Sequence, residues 1–200
     1  MEGHHFFALL SRMKYINRWG LMRNTRSENI SEHSLDTAVI AHALAVIGNE
    51  RFQKQYNPAR AALLAIYHDM AEIITGDLPT PVKYHSKEIR DAYREMENLA
   101  EDQLLDLLPE DLRRQYRAVV KYEHPEDQQL RPLIHAADKL SAIVKCMEEA
   151  KSGNQEFQKA EETLRKAVGN MHLPEADCFV KEFLPSYELT LDEQKGGIGE

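Results

Sequence analysis

Tyr67-His68-Asp69-Met70-Ala71-Glu72 lies late in an apolar, alanine-rich run that begins after Asn57-Pro58. Three groups able to bind metal or move protons therefore fall within a segment whose spacing predicts a buried helix. Charged side chains are rarely left there without partners. The reading is that His68 and Asp69 are metal ligands and that Glu72, one helical turn on, transfers a proton or orients a water. The remaining ligands must then come from other parts of the chain.

Working outward, Asn57 followed by Pro58 is a cap-then-first-turn pair, because proline lacks a donor that the first turn does not use. The helix is expected to close at Thr75-Gly76, and Asp77-Leu78-Pro79-Thr80-Pro81 to form a rigid extended loop. Upstream, Phe6, Leu9, Leu10, Met13 and Ile16 predict an amphipathic helix over the first eighteen residues, ended by Arg18-Trp19-Gly20. Residues 20–30 read as a polar loop, and Ser31 as the N-cap of a helix ending at Gly48-Asn49.

Downstream, helical spacing runs from Ser86 to Pro109, from Glu110 to Tyr122, over 126–151, from Phe157 to Val168, and onward from Pro174. No repeat, sustained heptad or alternating strand pattern intervenes. The expectation is an all-α chain with one domain over residues 1–190. Residues 191–200, with no apolar face beyond Asp192, are expected to be a disordered tail.

The 200 residues are 42% hydrophobic and 29% charged, ordinary values for a chain able to bury a core. A net charge of -8 argues against a surface built to bind polymeric nucleic acid. A small anionic substrate would instead need a local metal, Arg or Lys. There is no long uncharged apolar run, and the start lacks a signal-peptide pattern, so a soluble cytoplasmic protein without a membrane partner is expected. Cys146 and Cys178, far apart, suit reduced thiols.

His33, in the first turn of the Ser31 helix, and Asp138, in the apolar frame Ile134-Ala137-Asp138-Ser141, are out of place as simple core or surface residues. With His68 and Asp69 they make a mixed nitrogen and oxygen shell that suits a divalent transition ion and leaves positions for water and a substrate oxygen. Such an ion lowers the pKa of water and polarises a phosphoryl or carbonyl group, so hydrolysis follows. Glu72 would then accept a proton from a water or orient it, and Asp77 could protonate a leaving oxygen. Arg18 is a planar fork suited to phosphate, and Trp19, the only tryptophan, is a flat surface for a sugar or base. Each has a plainer reading: Glu72 as a solvated or ion-paired helix residue, Asp77 as a turn former, Arg18 as a carboxylate partner, Trp19 as core. His4-His5 is too short for a metal tract, His42 lies on the apolar face at helical spacing from Ala38 and Ala45, and His124, His135 and His172 lack ligand-like companions.

His33, His68-Asp69 and Asp138 on successive helices, with Glu72 in H-D-x-x-E, resemble the HD-domain metal-dependent phosphohydrolases and their helical bundle. Ile16-Asn-Arg-Trp, Leu21-Met-Arg-Asn, Ser31-Glu-His-Ser-Leu and Gly76-Asp-Leu-Pro-Thr-Pro-Val-Lys-Tyr are similar to the bacterial 5′-deoxynucleotidase family of the YfbR type, over nearly the whole chain. The resemblance implies hydrolysis of deoxyribonucleoside 5′-monophosphates by a homodimer. One divalent ion (cobalt, manganese or copper) would be held by His33, His68, Asp69 and Asp138. It further implies that Arg18 orients phosphate, Trp19 shapes the sugar pocket, and Glu72 and Asp77 act as catalytic acids. The segment Asp77, Leu78, Pro79, Thr80 would contact substrate, as would His33, Asp69 and Asp138. Gly20, where a proline is common, and Lys139 after the metal aspartate are local departures. Competing readings are an HD phosphohydrolase acting on triphosphates or cyclic nucleotides, and a helical module holding its ion for structure or sensing.

Overall fold

The computed structural model describes residues 4–83 and 85–195, and these are helical apart from turns, loops and one isolated bridge between Asn17 and Asn29. In order they form α1 (Phe6–Leu10), a 3-10 turn (Ser11–Tyr15), α2 (Ile30–Phe52), α3 (Pro58–Tyr67), α4 (Glu72–Thr75) and α5 (Thr80–Lys83). There follow α6 (Lys87–Asp106), α7 (Glu110–Val120), α8 (Asp127–Lys151), a 3-10 turn (Gln155–Phe157), α9 (Gln158–Gly169), α10 (Pro174–Glu182), a 3-10 turn (Leu184–Glu188) and α11 (Leu191–Gln194). The all-α expectation holds. No helix among the described residues is long and apolar enough to cross a membrane.

The centre of the bundle is α2, α3 and α8. Ala41, Leu44 and Ala45 of α2 meet Ala61, Leu64 and Ala65 of α3 and Leu133, Ala137 and Leu140 of α8. Alanines at the contacts let the backbones approach, while each buried leucine contributes about 1.5–3 kcal/mol. A second apolar cluster joins Phe6, Met70, Leu104, Leu105, Leu108 and Val120, fixing α1 and the turn after α3 against α6 and α7. Arg60 of α3 ties these layers together through Nε and Nη2 bonds of 2.8 Å each to the fully buried Asp127 carboxylate, plus a 2.9 Å bond to the Ala118 carbonyl.

The structure corrects several boundaries. The N-terminal helix stops early, and Ile16 is extended, because its carbonyl accepts from Ile30 N (3.0 Å) while Arg18 N donates to the Glu28 carbonyl (2.9 Å). A backbone partner in residues 28–30 thus replaces intrahelical bonds. Asn29, not Ser31, caps α2, accepting from Ser31 N and Glu32 N while Glu32 reaches back to Asn29 N. The helix also runs through Gly48, whose missing side chain has another use: a Cβ there would meet the Tyr56 ring at 2.6 Å.

The helix opened by Asn57 breaks after Tyr67 rather than running unbroken to Thr75. His68 Nδ1 donates to the Ala65 carbonyl at 2.7 Å, occupying the acceptor that Asp69 N would use in a continuing helix. Residues 68–73 proceed by tighter bonds, with Met70 N to Tyr67 O at 3.2 Å and Glu72 N to Asp69 O at 3.0 Å. The loop after Gly76 is shorter than expected because Thr80–Lys83 makes a helical turn, with Pro81 in its first turn where its missing donor does no harm. Within the expected tail, Leu191–Gln194 forms a turn capped by Thr190; residues 196–200 lie outside the described residues.

Candidate metal centre

Three core helices deliver their donors to one point. Ligand atoms of His33 from α2, His68 from the end of α3 and Asp138 from α8 all lie within 4.8 Å of one another. His33 Nε2 is 3.2 Å from Asp138 Oδ1 and 3.5 Å from Asp69 Oδ2, and Asp69 Oδ2 is 3.1 Å from His68 Nε2. All four residues expected as ligands are therefore together.

The imidazoles are oriented from behind. Because a carbonyl only accepts, His68 Nδ1 carries the proton given to Ala65 O, which turns Nε2 toward the carboxylates. His33, fully buried, has Nδ1 3.1 Å from Ser141 Oγ, one turn beyond Asp138 on the same face of α8. Such rear contacts set ring orientation and basicity in metal sites. His68 Nε2 is nevertheless a buried nitrogen with no well-formed hydrogen bond, despite the nearby Asp69 oxygen. Glu72 Oε2 is similarly without a partner. An orphaned imidazole nitrogen facing a second imidazole and two carboxylates is a donor set that a divalent cation fits.

Electrostatics mark the same place. Burial would lower the His68 pKa, but Asp69, Asp138 and the Ala65 carbonyl outweigh it and raise it to about 9. Burial would raise the aspartates, yet the imidazoles hold Asp69 and Asp138 below the usual carboxylate range. Glu72 goes the other way: burial first, then Asp69 and Asp77, push its carboxyl up to about 10. Asp77 is also raised, chiefly by burial and against the pull of Arg18. In the metal-free chain burial and its acidic neighbours thus favour the protonated form of Glu72 at neutral pH.

Arg18 and Trp19 lie on the loop between the N-terminal 3-10 turn and α2. Burial works against the Arg18 charge, but Glu28, Asp138, Asp69 and Asp77 together keep its pKa raised. Trp19 adopts φ 61°, a left-handed conformation that costs a bulky residue on the order of 1–3 kcal/mol. It is held there by its N–H to Asp77 Oδ2 (3.2 Å), its carbonyl accepting from Met22 N (2.9 Å), and its indole Nε1 donating to Glu28 Oε2 (2.8 Å). The Gly76 carbonyl accepts from Tyr93 Oη at 3.0 Å, which fixes the start of the Asp77 loop. Leu78 and Pro79 are half-buried and Thr80 is exposed.

Glu28 and Ser141 escaped the sequence reading. Ser141 sits three residues after Asp138 in an apolar frame, a detectable signal, whereas Glu28 lies in a polar stretch where nothing distinguishes it.

Comparison with known proteins places these features. Residues 5–187 match the family described as 5′-deoxynucleotidase YfbR-like. Relatives named 5′-deoxynucleotidase, from Yersinia pestis (strain Pestoides F) and Yersinia pseudotuberculosis serotype O:3 (strain YPIII), are each 49% identical over 189 residues, covering 94% of this chain and 95% of the relative. Among solved structures, an HD-domain phosphohydrolase from Listeria innocua superposes with TM-score 0.76 at 24% identity, over 92% of this chain and 88% of that one. A cyanophage S-2L HD phosphohydrolase, described as bound to dA and one catalytic Zn2+ ion, gives TM-score 0.66 at 20% identity, over 90% and 96%. At those identities the structures establish the shared fold.

Proposed function

The chain belongs to the YfbR-like 5′-deoxynucleotidase family of HD-domain metal-dependent phosphohydrolases, and from that premise we propose that it hydrolyses deoxyribonucleoside 5′-monophosphates to deoxynucleoside and orthophosphate. The observation that carries the reading is the convergence of two imidazole nitrogens and two aspartate oxygens, with contacts of 3.1–3.5 Å, in a cluster that has Arg18 as a charged neighbour. A structural ion would need neither a buried acid without a partner nor a guanidinium in its field.

His33, His68, Asp69 and Asp138 would hold the ion. A divalent cation bound there supplies Lewis-acid polarisation of the phosphoryl group, a more acidic water, and compensation of the Asp69 charge. The chain's own residues do the rest. Arg18 binds and orients the phosphate through guanidinium donors not committed to Glu28 among the described residues. Water oxygen bonds to phosphorus as the P–O5′ bond breaks; the departing O5′ takes the proton of the Glu72 carboxyl, and the proton shed by the attacking water returns to the Glu72 carboxylate. Glu72 is the proton carrier, because its buried carboxyl lies in the field of Asp69 and Asp77, and in the metal-free chain burial and those charges raise its pKa far above the usual carboxylate range. Asp77, whose Oδ2 accepts the Trp19 N–H, positions the substrate-facing loop. Trp19 lies against the sugar, where a fixed ring rejects an added 2′-hydroxyl sterically.

The net charge of -8 supports a mononucleotide over a polymeric partner. Exposed Leu35, Val39 and Val46 on one side of α2 support pairing of two copies. The test is a product assay with 5′-monophosphates, triphosphates and cyclic nucleotides. Orthophosphate from the deoxy 5′-monophosphates is expected; release of triphosphate or ring opening, without it, overturns the reading.

A further inference from the structure

We propose that Glu28 is a positioning residue that sets the phosphate-directed Arg18 and the sugar-directed Trp19 together, so that one anchor fixes both parts of the pocket. The proposal rests on the substrate reading given above. A single oxygen, Glu28 Oε2, accepts from Arg18 Nη1 at 2.7 Å and from Trp19 Nε1 at 2.8 Å. The Glu28 side chain is only 11% exposed, so water competes weakly for these bonds. The Arg18 Cζ lies 5.6 Å from the centre of the Trp19 ring, which closes a triangle of three side chains.

The geometry exceeds what a simple ion pair needs. An indole N–H bond lies in the ring plane, so Glu28 fixes the rotation of the ring as well as its place. Phe157, fully buried, meets the same ring edge-on at 5.2 Å. Glu28 is itself immobilised by its carbonyl bond from Arg18 N and by the α2 cap at the next residue, Asn29. Just before it, Thr25 and Arg26 are tied to α8: their backbone N–H groups donate to Glu149, and the Arg26 carbonyl accepts from Lys145. Asp138, Ser141, Lys145 and Glu149 recur at steps of three and four residues along α8. One helical face therefore carries a metal-site aspartate, the support of His33 and the clamp of the loop that holds Glu28.

Discrimination against a ribose follows from rigidity. A 2′-hydroxyl is excluded only if the indole cannot move aside. Freed from Glu28, Trp19 keeps its backbone bond to Asp77 but loses the in-plane restraint, and Arg18 loses its fixed direction.

The test compares wild type, Glu28→Ala and Glu28→Gln. Each is assayed with deoxy- and ribonucleoside 5′-monophosphates, for bound divalent ion, and for the emission and acrylamide quenching of Trp19, the sole tryptophan. Glu28→Ala should keep its ion, raise KM for the deoxy substrate on the order of tenfold to a hundredfold, and narrow the deoxy-to-ribo preference. Its Trp19 should become easier to quench. Glu28→Gln retains an oxygen that accepts both bonds and should return the preference and the emission most of the way. An unaltered KM, preference and Trp19 signal in Glu28→Ala would overturn the proposal. So would equal loss of ion and activity in both variants, since that marks a purely structural residue. If wild type releases no phosphate from any 5′-monophosphate, the substrate reading fails. The Trp19 measurements then decide Glu28 alone: changed quenching in Glu28→Ala restored in Glu28→Gln supports the anchor, and unchanged quenching removes it.

Discussion

The Trp19 backbone N–H donates to Asp77 Oδ2 at 3.2 Å, joining two loops 58 residues apart in sequence. Asp77→Asn keeps an oxygen to accept that bond but cannot carry a proton. If Asp77 acts by position, Asp77→Asn should retain most turnover, while Asp77→Ala should lose roughly tenfold to a hundredfold. Steady-state phosphate release decides it, and equal, severe losses in both variants would assign Asp77 to proton transfer.

Glu72 combines a stability cost with a chemical role. In the metal-free chain its folded pKa of about 10 lies far above the reference 4.5. The folded state therefore holds a proton that the unfolded state releases, and stability falls as pH rises between those two values. Glu72→Gln mimics the protonated acid without that penalty. At pH 8 the metal-free variant should gain about 2 kcal/mol or more, roughly 4–8 °C in Tm. Its phosphate release should fall on the order of a hundredfold or more, with metal retained. Calorimetry on the metal-free protein checks the first expectation and turnover the second.

Metal uptake should be linked to protons. His68 must be neutral to ligate, and its pKa in the metal-free chain is raised to about 9. Binding at pH 7 should release close to one proton from this site, and affinity should climb by roughly tenfold per pH unit until that pKa is approached. Calorimetric titration in buffers of different ionisation enthalpy measures the proton count. Ser141→Ala, which removes the support of His33 Nδ1, should weaken binding by about tenfold to a hundredfold.

The buried Lys145–Glu149 pair should dominate acid stability of the loop clamp. Burial alone would raise Glu149, but bonds from Lys145, Thr25 and Asn154 outweigh it and hold the carboxyl well below its reference of 4.5. Its contribution is thus complete above that reference and lost as pH falls below it. Glu149→Gln should cost about 2–4 kcal/mol at pH 7, with the gap to wild type closing toward pH 2. Denaturant titrations at several pH values test this; a gap constant with pH would contradict it.

The helices and the metal cluster were legible because their signals are local or typed. Asn57-Pro58, Ser86 and Pro174 announce helix starts, and two histidines and two aspartates in apolar frames demand a shared partner. The break at His68 was not legible, since it depends on a side chain taking the Ala65 carbonyl, which periodicity cannot register. Gly48 looked like a stop for the same reason: its purpose is the Tyr56 ring, met only once the chain has folded back. Glu28 gains its meaning from two donors ten and nine residues away, so no pattern within residues 20–30 reveals it.

The central claim is that this histidine and aspartate cluster powers hydrolysis of 5′-monophosphates. Its most direct measurement is orthophosphate and deoxynucleoside released from a deoxyribonucleoside 5′-monophosphate by wild type and His68→Ala, each supplied with the same divalent ion. The account predicts one orthophosphate per deoxynucleoside from wild type, and loss of both bound metal and product in His68→Ala. Equal product from the two proteins, or none from wild type on any 5′-monophosphate, would contradict it.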